Sequence, residues 1–135
     1  MNQSASLRFE STAFAVAPGE DAETNLGVCG KALAGWIGEQ LRAVGVAAGN
    51  AIPEDFGWSV PVKSPPYTLY VACANSEKTD HWQIFVFIEG GLIDRLLRKD
   101  KSTELLGGLY ATVRRCIESS SIVGGLREKA LGCSR

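Results

Sequence analysis

Residues 82–88 read Trp-Gln-Ile-Phe-Val-Phe-Ile and form the most strongly strand-like stretch of this 135-residue chain. β-Branched and aromatic side chains, which suit the pleated surface of a sheet, dominate the stretch. Phe85 and Phe87 would lie on one side of the strand, since side chains alternate between the two faces. The other side would be aliphatic and would consist of Ile84, Val86 and Ile88. Because both sides are apolar, the sequence predicts a central strand that is at least partly covered on both faces.

Two further strands precede this stretch at hairpin distance. Trp58–Val62 and Tyr67–Ala74 are separated by the turn Ser64-Pro65-Pro66, and a polar loop from Asn75 to His81 follows. Consecutive strands with short connections pair antiparallel. An earlier alternating segment, Leu7 to Val16, predicts the first strand of the same sheet.

Two helices are predicted from apolar residues that recur every three or four positions. The first runs from a cap at Asn25 to Gly45, and the second from Asp100 to about Ser119. The predicted fold is therefore α+β, in the order β-α-β-β-β-α, with both main helices packed on one face of an antiparallel sheet of four to five strands. Ile122 and Val123 would add a short terminal strand, and the chain after Gly124-Gly125 is expected to be a last helical turn or a frayed tail.

The helix-free face of this sheet is the first functional clue. Tyr70, Phe85 and Phe87 would lie on it, opposite the rows that face the helices. We expect this aromatic surface to serve as an interface for a partner, a ligand or a second subunit.

Composition and charge limit the function. The chain is 45% hydrophobic and 21% charged, which fits one globular domain over residues 1–135. A net charge of -1 gives no general attraction for nucleic acid or an anionic membrane, so neither is an expected partner. Residues 1–90 hold five basic and ten acidic side chains, whereas residues 91–135 hold nine and five. This asymmetry favours self-complementary docking over polyanion binding. An antiparallel dimer that joins acidic to basic surfaces would use it, and folding the two halves together would equally neutralise it within one chain.

The cysteines and the termini indicate a reduced, soluble protein. Cys29, Cys73, Cys116 and Cys133 lack the close pairs of zinc or redox motifs, so neither a metal nor another cofactor is expected. Free thiols, the lack of a secretory signal and the lack of a long apolar run predict a cytoplasmic location.

The candidate ligand site is built around the box Pro53-Glu54-Asp55-Phe56-Gly57-Trp58. Glu54 and Asp55 would lie at the mouth of a cleft with Trp58 and Trp82 as walls, which suits a cationic or polar ligand. His81 would supply an imidazole that a carboxylate can orient, and Tyr70 would lie nearby. The alternative is structural: the box is a turn that feeds a strand, and His81 is a solvated loop residue. No catalytic residue is assigned.

The same box resembles a group of small uncharacterised bacterial proteins, some of them carried on integron or other mobile gene cassettes. The similarity extends from the segment at 30–36, Gly-Lys-Ala-Leu-Ala-Gly-Trp, through Trp82–Val86 to the Leu-rich helix. The chain departs from the pattern at Gly124-Gly125, where a clear last strand would stand. The resemblance implies a shared α+β fold and a bacterial origin, and it implies no activity or site residues.

Two functions follow as hypotheses. The first is a non-enzymatic binding or protein-interaction domain, homodimeric, that uses the aromatic sheet face. The alternative is a small enzyme or small-ligand-binding domain whose cleft gathers Glu54, Asp55, Trp58 and His81. Catalytic sets such as a Gly-x-Ser-x-Gly elbow or a phosphate-binding loop are absent from the sequence, which favours the first.

Overall fold

A computed structural model describes residues 3–16, 18–22, 24, 29–75, 80–90 and 99–130. Its strands are β1 (Ser6–Glu10), β2 (Ile52–Glu54), β3 (Gly57–Ser64), β4 (Tyr67–Asn75), β5 (His81–Gly90) and β6 (Gly124–Lys129). Its helices are α1 (Lys31–Ala43) and α2 (Lys99–Glu118), with a 3-10 turn at Glu20–Ala22. The α+β class and the two main helices are therefore as predicted.

All six strands form one antiparallel sheet in the order β2-β3-β4-β5-β1-β6. The prediction that the three middle strands are neighbours is confirmed by the pairing of β3 with β4 and of β4 with β5. The predicted count of four to five strands is wrong by one. β2 carries no strand signal in the sequence, because only three residues pair before the chain reverses at Asp55 and Phe56.

Both helices lie against the same face of the sheet, as predicted. α1 contacts β3 and β4, α2 contacts β5, and the helices contact each other. The strands supply alternate buried residues to this layer, including Leu7, Val60, Val71, Ile84 and Val86. The helices contribute Leu33, Ile37, Leu41, Leu109, Val113 and Ile117 to the same layer. The core is therefore one apolar layer between the sheet and the helix pair.

The first strand and the first helix are shorter than predicted. β1 ends at Glu10, because the chain then leaves the sheet and buries Phe14 against the rings of Trp36 and Trp82. Helix α1 begins at Lys31, while residues 25–28, with the predicted Asn25 cap, lie outside the described residues. The buried Glu20 carboxylate accepts hydrogen bonds from the backbone N–H groups of Gly30 and Lys31, at 2.9 and 3.0 Å. A carboxylate from a distant turn thus stabilises the first turn of the helix.

The C-terminal segment also differs from the prediction. The expected strand at Ile122 and Val123 is a turn instead, and the residues expected to be helical or frayed form β6. β6 pairs with β1 and becomes the outer strand of the sheet. Neither described helix combines the length and the apolarity needed to cross a membrane.

Candidate functional site

The sequence-predicted ligand residues are divided between the two faces of the sheet. Trp58 and Trp82 point toward the helices and are 3% and 1% exposed. Glu54, Tyr70 and His81 lie on the other face by strand alternation. A single cleft walled by both tryptophans and holding these polar groups would have to span both faces of the sheet.

His81 and the Glu54-Asp55 pair are also distant along the sheet. Glu54 belongs to β2 and His81 to β5, so three strand intervals separate them, about 14 Å. The carboxylates beside His81 are different ones. Its Nδ1 lies 2.8 Å from Asp80 Oδ1, and its Nε2 lies 3.7 Å from Glu10 Oε2. These three side chains are partly exposed and form a polar cluster at the start of β5.

The two tryptophans have structural partners in the helix-facing layer. Trp82 Nε1 donates a hydrogen bond to the carbonyl oxygen of Ser11 at 3.1 Å, and this bond fixes the chain as it leaves β1. The Nζ of Lys31 lies 5.1 Å from the centre of the Trp58 ring, a cation–π distance. Both rings therefore anchor the first helix and the N-terminal segment to the sheet.

Four rings gather on the side of the sheet opposite both described helices, which we call the helix-free side, and Phe56, Tyr70, Phe85 and Phe87 form what we call the aromatic face. Tyr70 stacks on Phe87 with ring centres 4.9 Å apart, and Phe85 lies 6.2 Å from Phe87. Phe56 lies 6.1 Å from each of the two phenylalanines of β5. The strand residues are half-buried, and Phe56 is 37% exposed. The structure thus brings the three predicted interface residues together and adds a fourth ring to them.

Phe56 is the member that the sequence reading missed. It stands in the turn between β2 and β3, where the box Pro53–Trp58 explains every other residue as turn or strand chemistry. A large apolar side chain at an exposed turn has no role in the turn itself. A phenylalanine that the turn does not need was therefore the signal in the sequence. The turn between β2 and β3 places this ring over β5.

Burial affects the one phenol of the aromatic face. Desolvation raises the pKa of Tyr70, and the nearby carboxylates of Glu89 and Glu54 raise it further. Tyr70 therefore stays a neutral hydroxyl at physiological pH. A neutral, stacked phenol is a suitable contact for another apolar surface, because only one edge of it requires a hydrogen-bond partner.

Opposite charges flank the aromatic face. The acidic edge consists of Glu54 and Asp55, at the end of β2 and in the turn after it, and Ser59 Oγ donates to Glu54 Oε2 at 3.1 Å. The basic edge consists of Arg8 on β1 with Arg127 and Lys129 on β6. Arg127 lies directly across from Arg8, and its closest carboxylate contact is Glu10, at 3.8 Å. The Nε of Arg8 is buried and has no hydrogen-bond partner among the described residues.

The orientation of the basic edge depends on Glu128. This residue points toward the helices, where the hydroxyl of Tyr110 donates a hydrogen bond to it and Arg114 pairs with it at 3.2 Å. Because side chains alternate, anchoring Glu128 to α2 directs its neighbours Arg127 and Lys129 to the helix-free side.

We expect this anchor to be visible as an abnormal tyrosine titration. Burial, together with the hydrogen bond and charge of Glu128, raises the pKa of Tyr110 from 10.0 to about 12. Since the folded chain holds the proton more tightly than the unfolded one, the stabilisation is complete below pH 10 and is lost as the pH rises through 12. In a pH titration, tyrosinate absorbance should show a transition at high pH in the wild type that Tyr110→Phe lacks. If the transition that Tyr110→Phe removes lies at the ordinary pKa of tyrosine, the anchoring of Glu128 by Tyr110 is contradicted.

Other candidate sites are less developed. A shallow groove of about 160 Å³ lies between the C-terminal ends of the helices and is lined by Gln40, Val44, Thr112, Arg115, Cys116 and Ser119. It contains none of the sequence-predicted ligand residues. Within the described ranges, no group of three or more His, Cys, Asp or Glu side chains is placed to hold a metal ion.

No family model, no curated protein and no solved structure matches this chain. The resemblance to cassette proteins therefore stays an expectation drawn from the box at Pro53–Trp58. Function has to be inferred from the chain's own geometry. In that geometry, the aromatic face with its two charged edges has the most features of a binding surface.

Proposed function

We propose that this protein is a non-enzymatic binding domain that docks on another protein through its aromatic face. The observation that supports it is the gathering of four rings on the side of the sheet opposite both described helices. Aromatic side chains are enriched at the centres of protein interfaces, where they supply large contact areas at low cost in conformational entropy. The face has the composition of an interface core.

The arrangement of charge supports the same function. The rings occupy the central strands β4 and β5 and the adjacent turn, while the acidic edge lies at β2 and the basic edge on β1 and β6. Glu89 of β5 is a further carboxylate, beside Tyr70. An apolar centre with a polar rim is the common anatomy of protein interfaces. A sheet face of this kind fits another protein surface better than it encloses a small molecule.

The enzyme alternative draws less support from the geometry. It needs Glu54, Asp55 and His81 in one concavity, whereas the strand order separates the carboxylates from the imidazole by three strand intervals. His81 is instead engaged by Asp80 and Glu10 at the sheet's end.

We also place the domain in the cytoplasm. Cys29, Cys73 and Cys116 are free and buried, and burial raises the pKa of each thiol. Protonated, unpaired thiols are typical of proteins from a reducing compartment.

Site-specific photocrosslinking tests the binding function. A benzophenone amino acid replaces Phe85 in one variant and the exposed Ala111 of α2 in a matched control, with each variant irradiated both purified and in the expressing cells. We expect an interprotein adduct from position 85, identified by mass spectrometry, and none from position 111. Equal adduct yields from the two positions, or no interprotein adduct from position 85, would refute docking through this face.

A further inference from the structure

The geometry points to a second copy of this chain as the partner, packed sheet against sheet about a two-fold axis that runs parallel to the strands. This inference rests on the proposed binding function and deepens it by naming the partner. It follows from where the strand registers place the charges around the aromatic face.

The acidic and basic edges lie at the two ends of one row of residues across the sheet. Each member is the register partner of the next, and Gly57 faces Ala74 because its neighbour Trp58 pairs with Cys73. The row runs Glu54, Gly57, Ala74, Gln83, Arg8 and Arg127. Because all these residues share the helix-free side, the row begins with a carboxylate and ends with two guanidinium groups.

A two-fold axis along the strands converts this row into complementary contacts. The axis passes between the central strands β4 and β5, at the stacked rings of Tyr70 and Phe87. Rotation about it exchanges the left and right ends of each row and turns the sheet over. Glu54 of one copy then faces Arg127 of the other, and the reverse contact forms at the same time. The two aromatic faces meet in the middle, at the usual spacing of about 10 Å between packed sheets.

The other symmetric arrangement is disfavoured by charge. A two-fold axis in the same plane but perpendicular to the strands places each edge over its own copy. Such an axis lays β2 over β2 and β6 over β6, so Glu54 stays five strand intervals, about 24 Å, from Arg127 of the other copy. This arrangement keeps the acidic edge away from the basic edge, so the charge pattern selects the axis parallel to the strands.

The two edges lie too far apart to neutralise each other within one chain. Five strand intervals separate β2 from β6, which is about 24 Å. Exposed charges further apart than the Debye length, about 8 Å at physiological ionic strength, are largely screened from one another. The two edges therefore attract each other only between two copies.

The basic edge places two guanidinium groups side by side, with the Glu10 carboxylate 3.8 Å from Arg127. Arg8 and Arg127 are direct cross-strand neighbours, an arrangement that is destabilising for like charges. In the proposed dimer the partner's β2–β3 turn, which bears the acidic edge, lies over this pair and supplies the opposite charge.

Charge reversal with mixing tests the arrangement, with self-association measured by analytical ultracentrifugation of the full chain. Glu54→Lys and Arg127→Glu should each weaken the dimer about 10- to 100-fold. An equimolar mixture should restore wild-type affinity, since the heterodimer contains one native Glu54–Arg127 contact and one contact in which both charges are reversed. Glu39→Lys, on the exposed side of α1, is the matched control and should leave association unchanged.

Each outcome decides one level of the proposal. If the mixture associates no better than the single variants, the two-fold arrangement is wrong while docking through the face stands. A wild-type chain that stays monomeric but crosslinks to another protein from position 85 overturns the second copy as partner and keeps the binding function. Asp55→Lys, which leaves the Ser59–Glu54 hydrogen bond intact, replaces Glu54→Lys if that variant fails to fold.

Discussion

Gly57→Ala is expected to remove about 3–5 kcal/mol of folding stability, a large part of the 5–15 kcal/mol that a domain commonly has. Gly57 has a φ of +152°, a backbone conformation that residues with a side chain rarely adopt. A Cβ at this position would lie 2.3 Å from the carbonyl oxygen of Cys73. The backbone strain costs about 1–3 kcal/mol, and displacement of the neighbouring strand costs a similar amount. Urea unfolding followed by circular dichroism measures the loss.

A variant at a second glycine distinguishes the cost of backbone strain from the cost of displacing the neighbouring strand. Gly19 also has a positive φ, +77°, but a Cβ there meets nothing within 4 Å. Gly19→Ala should therefore cost only the conformational part, about 1 kcal/mol. Equal losses from the two variants would mean that the close approach of Gly57 to β4 is not a strict steric requirement.

The central sheet was predictable because its signals are local. Tyr67–Asn75 and His81–Gly90 alternate on a period of two, are bounded by turn residues and are joined by short connections. Such a pattern specifies both the strands and their antiparallel neighbours.

The outer strands were not predictable, because their stability comes from tertiary contacts. β6 contains two glycines and three charged residues in six positions, which argues against a strand on propensity alone. It pairs with β1 because Glu128 is anchored to Tyr110 and Arg114 of α2, and sequence spacing does not reveal this contact. β2 is too short to show any period at all.

The helical glycines show the same limit. Because a glycine inside a helix costs up to about 1 kcal/mol relative to alanine, close packing is the compensation that we expect at each glycine of the first helix. Gly30, just before α1, fits the expectation, because a Cβ there would approach the Cys73 oxygen to 2.6 Å. Gly35 does not fit it, since the space around it is open. A sequence shows that a glycine is present, but only the packing shows whether a neighbour requires it.

For the candidate site, the sequence identified three of the four rings of the aromatic face but neither Phe56 nor the basic edge. Tyr70, Phe85 and Phe87 follow from strand parity, because they oppose the aliphatic rows. The ligand cleft depended instead on bringing a turn, a loop and two tryptophans together. Trp58 and Glu54 have opposite parity on a paired hairpin, so the cleft's walls and its acids point to opposite sides.

The double variant Phe85→Ser/Phe87→Ser is expected to abolish self-association, raising the dissociation constant about 1,000-fold. Each chain loses two rings, so four rings leave the symmetric interface. Fully burying one phenylalanine contributes about 1.5–3 kcal/mol, and these rings are already half-buried in the single chain. A combined loss of about 4 kcal/mol corresponds to the stated change. Light scattering coupled to size exclusion should then report the chain mass of 14.4 kDa instead of twice that value.

A matched control distinguishes a specific interface from general hydrophobicity. Val44→Ser removes an apolar side chain that is 60% exposed, on the helix layer, and should leave the dimer intact. Phe56→Ser changes only a turn residue of the aromatic face, so it should weaken association about 10-fold without unfolding the chain. If Val44→Ser dissociates the dimer while the phenylalanine variants remain associated, the contact surface lies on the helices and the sheet face is not the interface. The rings of β5 are decisive because no charge on either edge can replace the apolar area that they bury.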